Sequence, residues 1–267
     1  MRAVSAWRTG AWRVLGPPEL FAEARLLLEE SSGAERSARG PGQLGPFAIF
    51  FKGSPLATRP ALRHALRRAA GLEIPRLQEF ANLEWLRAHG FQAARALLAG
   101  VRTEGLLPRY QFLFTELRPA EPALNEWFPS APGEQRAELL TALAHDLARM
   151  HRLGFVHRDL YPRNLVVALL RSGPRCVFLD AWRGGPGPGL RGPDHDLGCL
   201  FLDGARLFTP VEQSLFLTRY REASARLGRA LPQNWPARVE GARSAVSKRE
   251  ARRRPGLAPT WRFPPLG

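Results

Sequence analysis

Residues 157–164 read His157-Arg158-Asp159-Leu160-Tyr161-Pro162-Arg163-Asn164, with Asp180 sixteen positions beyond Asn164 at the end of the apolar run Cys176–Leu179. A carboxamide oxygen and a carboxylate are hard donors of the kind that hold Mg²⁺. A second carboxylate, Asp159, is suited to orient a hydroxyl and accept its proton. Upstream, Lys52 follows the apolar stretch Phe47-Ala48-Ile49-Phe50-Phe51. Of 39 basic residues only Lys52 and Lys248 are lysines, so arginine supplies the general charge and a lysine on an apolar strand asks for a specific role. Aspartate is scarce as well: four of the six (Asp159, Asp180, Asp194, Asp196) fall within one 38-residue window. Moving a phosphoryl group between oxygens needs charge neutralisation, in-line positioning and a destination for the acceptor's proton. These side chains are of the types that supply each.

The elements that must position them follow from periodicity and punctuation. Apolar Leu20, Ala24, Leu27 and Leu28 predict a helix over 17–31, followed by a loop rich in Gly, Ser and Arg to Pro46 and a strand at 47–52. A basic helical stretch covers 60–70 and ends at Gly71, and Pro75 opens a helix to about Ala88 that Gly90 closes. Tyr110–Leu117 reads as a strand, and Pro119 and Pro122 mark a hinge. Beyond it, Leu140, Leu143, Ala144, Leu147 and Met150 recur at helical steps from Gly133 to Leu153, and Gly154 ends the run. Strands at 165–170 and 176–179 form a hairpin with the candidate residues in the loops on either side. A Gly/Pro-rich loop (184–193) leads to helices from Asp196 and over about 211–226. The segment from Lys248 to Gly267 is basic and weakly periodic, and is expected to be a flexible tail.

The 267 residues suffice for one or two packed cores, and 45% apolar with 24% charged residues is the balance of a folded globular chain. A formal charge of +15 predicts an anionic partner. Two cysteines, Cys176 and Cys199, form no disulfide framework and are expected to be buried, in keeping with a reducing compartment. No apolar run approaches the ~20 residues of a membrane span, and residues 1–16 lack the apolar core of a secretory signal. A cytoplasmic protein is expected. His145, His151 and His195 do not form zinc-ligand spacing with the cysteines, and no nucleic-acid motif occurs.

The string 157–164 has the form H-R-D-x-x-x-x-N, and with Lys52, Glu79 and Asp180 it resembles the catalytic set of the protein-kinase-like superfamily. Within it the chain is most similar to the Kdo/heptose lipopolysaccharide kinase family. The residues that carry this are the run Leu83-Glu84-Trp85-Leu86-Arg87-Ala88-His89-Gly90-Phe91, the Asp159-Leu160-Tyr161 continuation, and Asp194-His195-Asp196-Leu197-Gly198 soon after Asp180. The resemblance implies an α+β, bilobal protein-kinase-like fold: a small β-rich N-lobe (1–118), a mainly helical C-lobe (119–247) and the basic tail (248–267). It implies Asp159 as catalytic base, Asn164 and Asp180 as Mg²⁺ ligands, and Lys52 against the ATP phosphates. Glu79 would pair with that lysine, in preference to Glu84. Nucleotide would lie between the lobes near Glu116, whose backbone would meet the adenine. The implied acceptor is a sugar hydroxyl of the lipopolysaccharide inner core (Kdo or heptose), at the cytoplasmic face of an anionic inner membrane that the chain could contact peripherally.

Two departures shape the reading. Only fifteen residues separate Asp180 from Asp196 and no A-P-E follows, leaving little room for a peptide platform. Gly40-Pro41-Gly42-Gln43-Leu44-Gly45 spells G-x-G-x-x-G, but Lys52 follows Gly45 by only seven positions, short for a two-strand hairpin. Asp196 is expected to brace the loop backbone and His157 to pack structurally. Arg158 either braces the loop or faces an acidic acceptor. Tyr161, Arg163 and Arg183 flank the expected acceptor cleft, with solvated surface charge as the plain alternative. The rival functions are a small-molecule kinase for an aminoglycoside or choline-like amine, whose cationic acceptor the nearby arginines disfavour, a protein kinase, and a non-enzyme, either an inactive kinase-like scaffold or a basic nucleic-acid binder.

Overall fold

Trp12 and Val14 on one strand, and Tyr110, Phe112 and Phe114 on another, point alternately into a shared core that organises the first of two compact units, 1–119 and 120–267. The structure is a computed structural model and describes residues 6–33, 37–56, 58–69, 73–118, 120–187, 191–202 and 207–253. Gly71, Pro119 and the segment 254–267 lie outside the described residues, so the helix stop, hinge and tail assigned to them do too.

The first unit is an antiparallel sheet in the order β1-β2-β5-β6-β4-β3. Its strands are β1 (Trp7–Thr9), β2 (Trp12–Leu15), β3 (Ala38–Leu44), β4 (Phe47–Pro55), β5 (Ala96–Glu104) and β6 (Leu107–Glu116). Helix α1 (Pro18–Gly33) buries Leu20, Phe21, Ala24 and Leu28, at steps of one helical turn, and sets Phe21 edge-on to Trp12. Close packing of Phe112 requires Gly100 on the neighbouring strand: a Cβ there would sit 2.6 Å from the ring. Helix α2 (Thr58–Ala69) lies against β6, and α3 (Pro75–Ala88) against β5 and β6. Pro75 in the first turn of α3 and Gly90 at φ +75 just past it bound the helix as its sequence predicts.

The expected loop 31–46 is corrected: α1 runs to Gly33, and 38–44 form strand β3, whose register with β4 pairs Arg39 with Lys52 and Leu44 with Phe47. The glycine string is therefore a strand and a tight turn at Gly45 (φ +53), and the two-strand hairpin does fit within the seven positions. Pro41, which has no amide to donate, is tolerated because β3 is the edge of the sheet.

The second unit is mainly helical. After a short helix α4 (Leu124–Trp127), α5 (Gly133–Arg152) buries Leu140, Leu143, Ala144, Leu147 and Met150, and Gly154 at φ +80 ends it. It packs against α7 (Pro210–Arg226), which follows α6 (Pro193–Leu200). Strand β7 (Phe155–Val156) pairs with β10 (Gly185–Pro186). Strands β8 (Leu165–Leu170) and β9 (Gly173–Phe178) form the predicted hairpin. The Pro122 carbonyl accepts the Val167 amide and Ala123 bridges Val166, so this end of the expected hinge is tied to β8.

The tail assignment is corrected for 248–253. Helix α8 (Trp235–Arg253) continues through them, burying Trp235, Val239, Arg243 and Val246 at three- and four-residue steps. It packs on α6 at Gly198, where a Cβ would come 2.8 Å from the Arg243 amide nitrogen. The buried Arg243 side chain is neutralised by Glu240 at 2.7 Å, which lets a basic sequence form a packed helix.

Candidate active site

In the first unit, the alternation of β4 carries Lys52 off the sheet while Ile49, Phe51 and Gly53 are buried. Its Nζ lies 2.7 Å from Glu79 Oε1, and Arg76 donates to the other carboxylate oxygen at 2.6 Å. Glu79 is fully buried on α3, so two cations converge on a carboxylate withdrawn from water. Glu84, one and a half turns along, is half-buried near Arg87 and Arg95, and burial holds its carboxyl above the usual range. The lysine therefore selects Glu79. Glu116 ends β6, where its amide bonds to the Arg95 carbonyl and the next amide, Leu117, to Ala48. Both amides are committed to the strand pairing.

The loop of the second unit hangs from one buried carboxylate. Asp196 in the first turn of α6 accepts the amides of His157 at 2.7 Å and Arg158 at 2.6 Å. Its oxygen also lies 3.1 Å from His151 Nε2, and His151 Nδ1 lies 2.7 Å from the Tyr220 hydroxyl. Tyr220 stacks on Trp235 with ring centroids 5.3 Å apart. Burial would raise the Asp196 carboxyl, but the hydrogen bond and charge of His151 with the His157 amide outweigh it and hold the group below its ordinary range. His157 is buried and its Nε2 donates to the Leu179 carbonyl at 2.9 Å, tying the loop to the strand end that bears Asp180.

Around this brace the candidate residues converge. The Asn164 side-chain nitrogen donates to the Asp159 carbonyl at 2.8 Å, which leaves the amide oxygen as the group Asn164 offers elsewhere. The Leu179 amide donates to the Asn164 carbonyl at 3.0 Å, fastening Asn164 beside Asp180. Asp180 adopts the left-handed backbone conformation (φ +56), as does Arg158 (φ +62), and such strain concentrates at sites that must aim a side chain. The Asp159 carboxyl is raised above the ordinary carboxylate range, first by burial and then by the neighbouring Asp180 carboxylate, with Arg183 and His157 opposing. A raised carboxylate is a better proton acceptor near neutrality. Two acids repelling each other with a carboxamide oxygen alongside form a hard-oxygen set that a divalent cation suits. Mg²⁺ held by two protein donors takes the rest of its shell from phosphate and water. Among the described residues no cluster of three or more His, Cys, Asp or Glu could hold a metal alone.

The acceptor-side expectations divide. Tyr161 is corrected: it is 1% exposed, takes a hydrogen bond from Arg249 at 2.9 Å and lies 3.3 Å from Glu250, so it anchors α8 to the loop and faces no open cleft. Burial pushes its phenol well above the ordinary range. Arg163 is exposed and lies over the Tyr161 ring at 4.0 Å. Arg183 stacks over Trp182 at 4.5 Å, close enough to Asp159 to act on its charge. The Arg158 alternative resolves toward bracing, since its guanidinium donates to the carbonyls of Arg183 and Arg191.

Residues that sequence reasoning passed over are Arg76, His151, Tyr220 and Arg249. Arg76 was findable, three positions before Glu79 on one helix face. His151, on the last turn of α5, joins the brace only through α6 and α7, and no local signal marks that.

A family model described as the lipopolysaccharide kinase (Kdo/WaaP) family matches residues 60–201, just over half the chain. No curated protein matches. Among solved structures, one described as WaaP in complex with acyl carrier protein matches with a TM-score of 0.56 at 19% identity, covering 90% of this chain and 98% of that one. That likeness is one of fold.

Proposed function

The chain belongs to the lipopolysaccharide kinase (Kdo/WaaP) family, and is on that ground a phosphotransferase of protein-kinase-like fold; from this premise we propose that it transfers the γ-phosphoryl group of ATP to a sugar hydroxyl of the lipopolysaccharide inner core. The observation that carries the reading is the loop 157–164, braced by Asp196, with the raised Asp159 carboxyl beside Asn164 and Asp180. Asp159 orients the acceptor hydroxyl and takes its proton as the new P–O bond forms and the bond from phosphorus to the β–γ bridging oxygen breaks. Asn164 and Asp180 are the residues that would hold Mg²⁺, which when bound neutralises phosphate charge. Lys52, fixed by Glu79, supplies a point charge to the α- and β-phosphates. The engaged amides of Glu116 and Leu117 leave the adenine contact expected there to other groups of that segment.

Arg183, beside Asp159, is the strongest candidate for an anionic group on the acceptor, with Arg163 further out; a cationic acceptor would be repelled. The fifteen residues between Asp180 and Asp196 support a small or glycolipid acceptor over a peptide. A net charge of +15 supports work at the anionic cytoplasmic face of the inner membrane. Among the described residues no helix is long and apolar enough to cross a membrane. The similar structure contains acyl carrier protein, and the same charge would favour an acidic protein as a second association here.

Lys52→Met tests the nucleotide half of this reading. Glu79 keeps Arg76, so the fold should persist, while kcat/KM for ATP falls about 10²-fold, the scale of one removed electrostatic contact. Steady-state kinetics with varied ATP, alongside a melting curve, measures it. Unchanged kinetics would remove Lys52 from the phosphate site.

A further inference from the structure

The first unit carries a surface that phosphoryl transfer does not use. Helix α2 buries Ala61 and His64 but leaves Leu62 and Leu66, one turn apart on the same face, 55% and 64% exposed. At the tip of the β5–β6 turn, Leu106 is 88% exposed. Leu66 and Leu106 line one open depression, together with Ala65, Gly105, Arg8 and Arg13. The sequence of α2 contains Arg59, Arg63, Arg67 and Arg68 and no acid. Arg8 and Arg63 are exposed and have no ion-pair partner among the described residues. The nearby acids are already matched, Glu73 by Arg13 and Glu104 by Arg102 and Arg109.

Solvated leucines on a helix face and a hairpin tip, with a cationic surround, are poor for solubility and suited to an interface that is apolar within and anionic at its rim. A bilayer accepts such side chains separately and needs no complementary relief, whereas a protein partner would have to match both elements in shape. Arginine adds attraction to anionic headgroups while its stem lies along the apolar layer.

We propose that this face is a membrane-contacting surface: Leu62, Leu66 and Leu106 enter the acyl boundary of an anionic leaflet, and Arg8 and Arg63 meet lipid phosphates. This deepens the peripheral-membrane part of the function above, but it stands on surface geometry and charge, independent of the phosphoryl-transfer chemistry.

The test is co-sedimentation of the full chain with vesicles of phosphatidylcholine alone or mixed with phosphatidylglycerol. Anionic vesicles should bind about tenfold more tightly than neutral ones, and added salt should weaken the binding. The triple variant Leu62→Gln, Leu66→Gln, Leu106→Gln should lose about tenfold in partitioning. Its melting temperature should be unchanged, because all three side chains are exposed. The pair Arg8→Ala, Arg63→Ala should lose about as much on anionic vesicles only. Equal binding of both vesicle types, or a triple variant that partitions like the parent, would overturn the proposal. So would preference for an acidic polypeptide (polyglutamate) over vesicles, lost in the triple variant, which would give the face to a protein. If vesicle binding fails while phosphate transfer to a detergent-dispersed acceptor persists, this surface is refuted and the enzymatic reading stands.

Discussion

Replacing Asp159 by Ala or Asn lowers phosphate transfer by about 10²–10⁴-fold, the usual contribution of a positioned general base, with nucleotide affinity largely retained. The loop that carries it hangs from Asp196, and Asp159 contributes its backbone carbonyl to Asn164, so neither substitution removes a scaffold bond. Stability makes the result diagnostic. The folded-state carboxyl is raised above its unfolded value by burial and by Asp180. A raised group favours folding at pH below its unfolded value, and that contribution is lost as pH rises through the folded one. At neutral pH the ionised side chain is therefore a net cost, and Asp159→Asn should melt no lower than the parent. Kinetics and a melting curve at neutral pH separate the cases: lost activity with lost stability would mark Asp159 as structural, and full activity would exclude it as the base.

The converse is expected at Asp196. Asp196→Ala strands the buried amide of His157 and the part-buried amide of Arg158, and leaves His151 without its carboxylate. Breaking such a buried network costs about 3–5 kcal/mol, a large share of the 5–15 kcal/mol that typically holds a domain of this kind together. Denaturant titration at neutral pH should show it, with activity lost as the loop loses its anchor. The pH dependence has the opposite sign to that of Asp159. Because the folded carboxyl is depressed, its stabilisation is present above the unfolded value, about 3.9, and is lost only as pH falls through the lower folded one. The deficit of the variant should be constant from neutrality down to about pH 4 and shrink below it. A variant as stable as the parent would show that the amides find other partners.

These two aspartates also show what was legible in the sequence. The loop string, Asp180 and Asp196 stand close together in the chain, and the hairpin between them is two short apolar runs split by the turn residues Arg171-Ser172-Gly173-Pro174, so both the chemistry and its local scaffold could be read. Helix α3 is bounded by Pro75 and Gly90, but Glu79 and Glu84 both sit near its apolar faces; burial of Glu79 against Lys52 and Arg76 decides between them. Strand β5 escaped because its first six residues are all buried, which removes the two-residue alternation that marks a half-exposed strand. Strand β3 escaped because it is a glycine- and proline-bearing edge, held by its backbone register with β4. The end of α8 looked like a solvated basic tail because its buried Arg243 and its Arg249–Tyr161 contact use charged residues where apolar ones are expected. Tyr161 reads as a cleft residue in the sequence because its partner Arg249 lies 88 positions away.

Transfer of a γ-phosphoryl group from ATP to a core sugar hydroxyl leaves an added phosphate on the acceptor, which mass spectrometry of truncated lipid A–core acceptors reads after incubation with the protein, ATP and Mg²⁺. One added phosphate on a Kdo or heptose unit, absent without ATP and absent with Asp159→Ala, is the predicted result. Acceptors that all remain unmodified while a different hydroxyl compound or a protein gains the phosphate would contradict it.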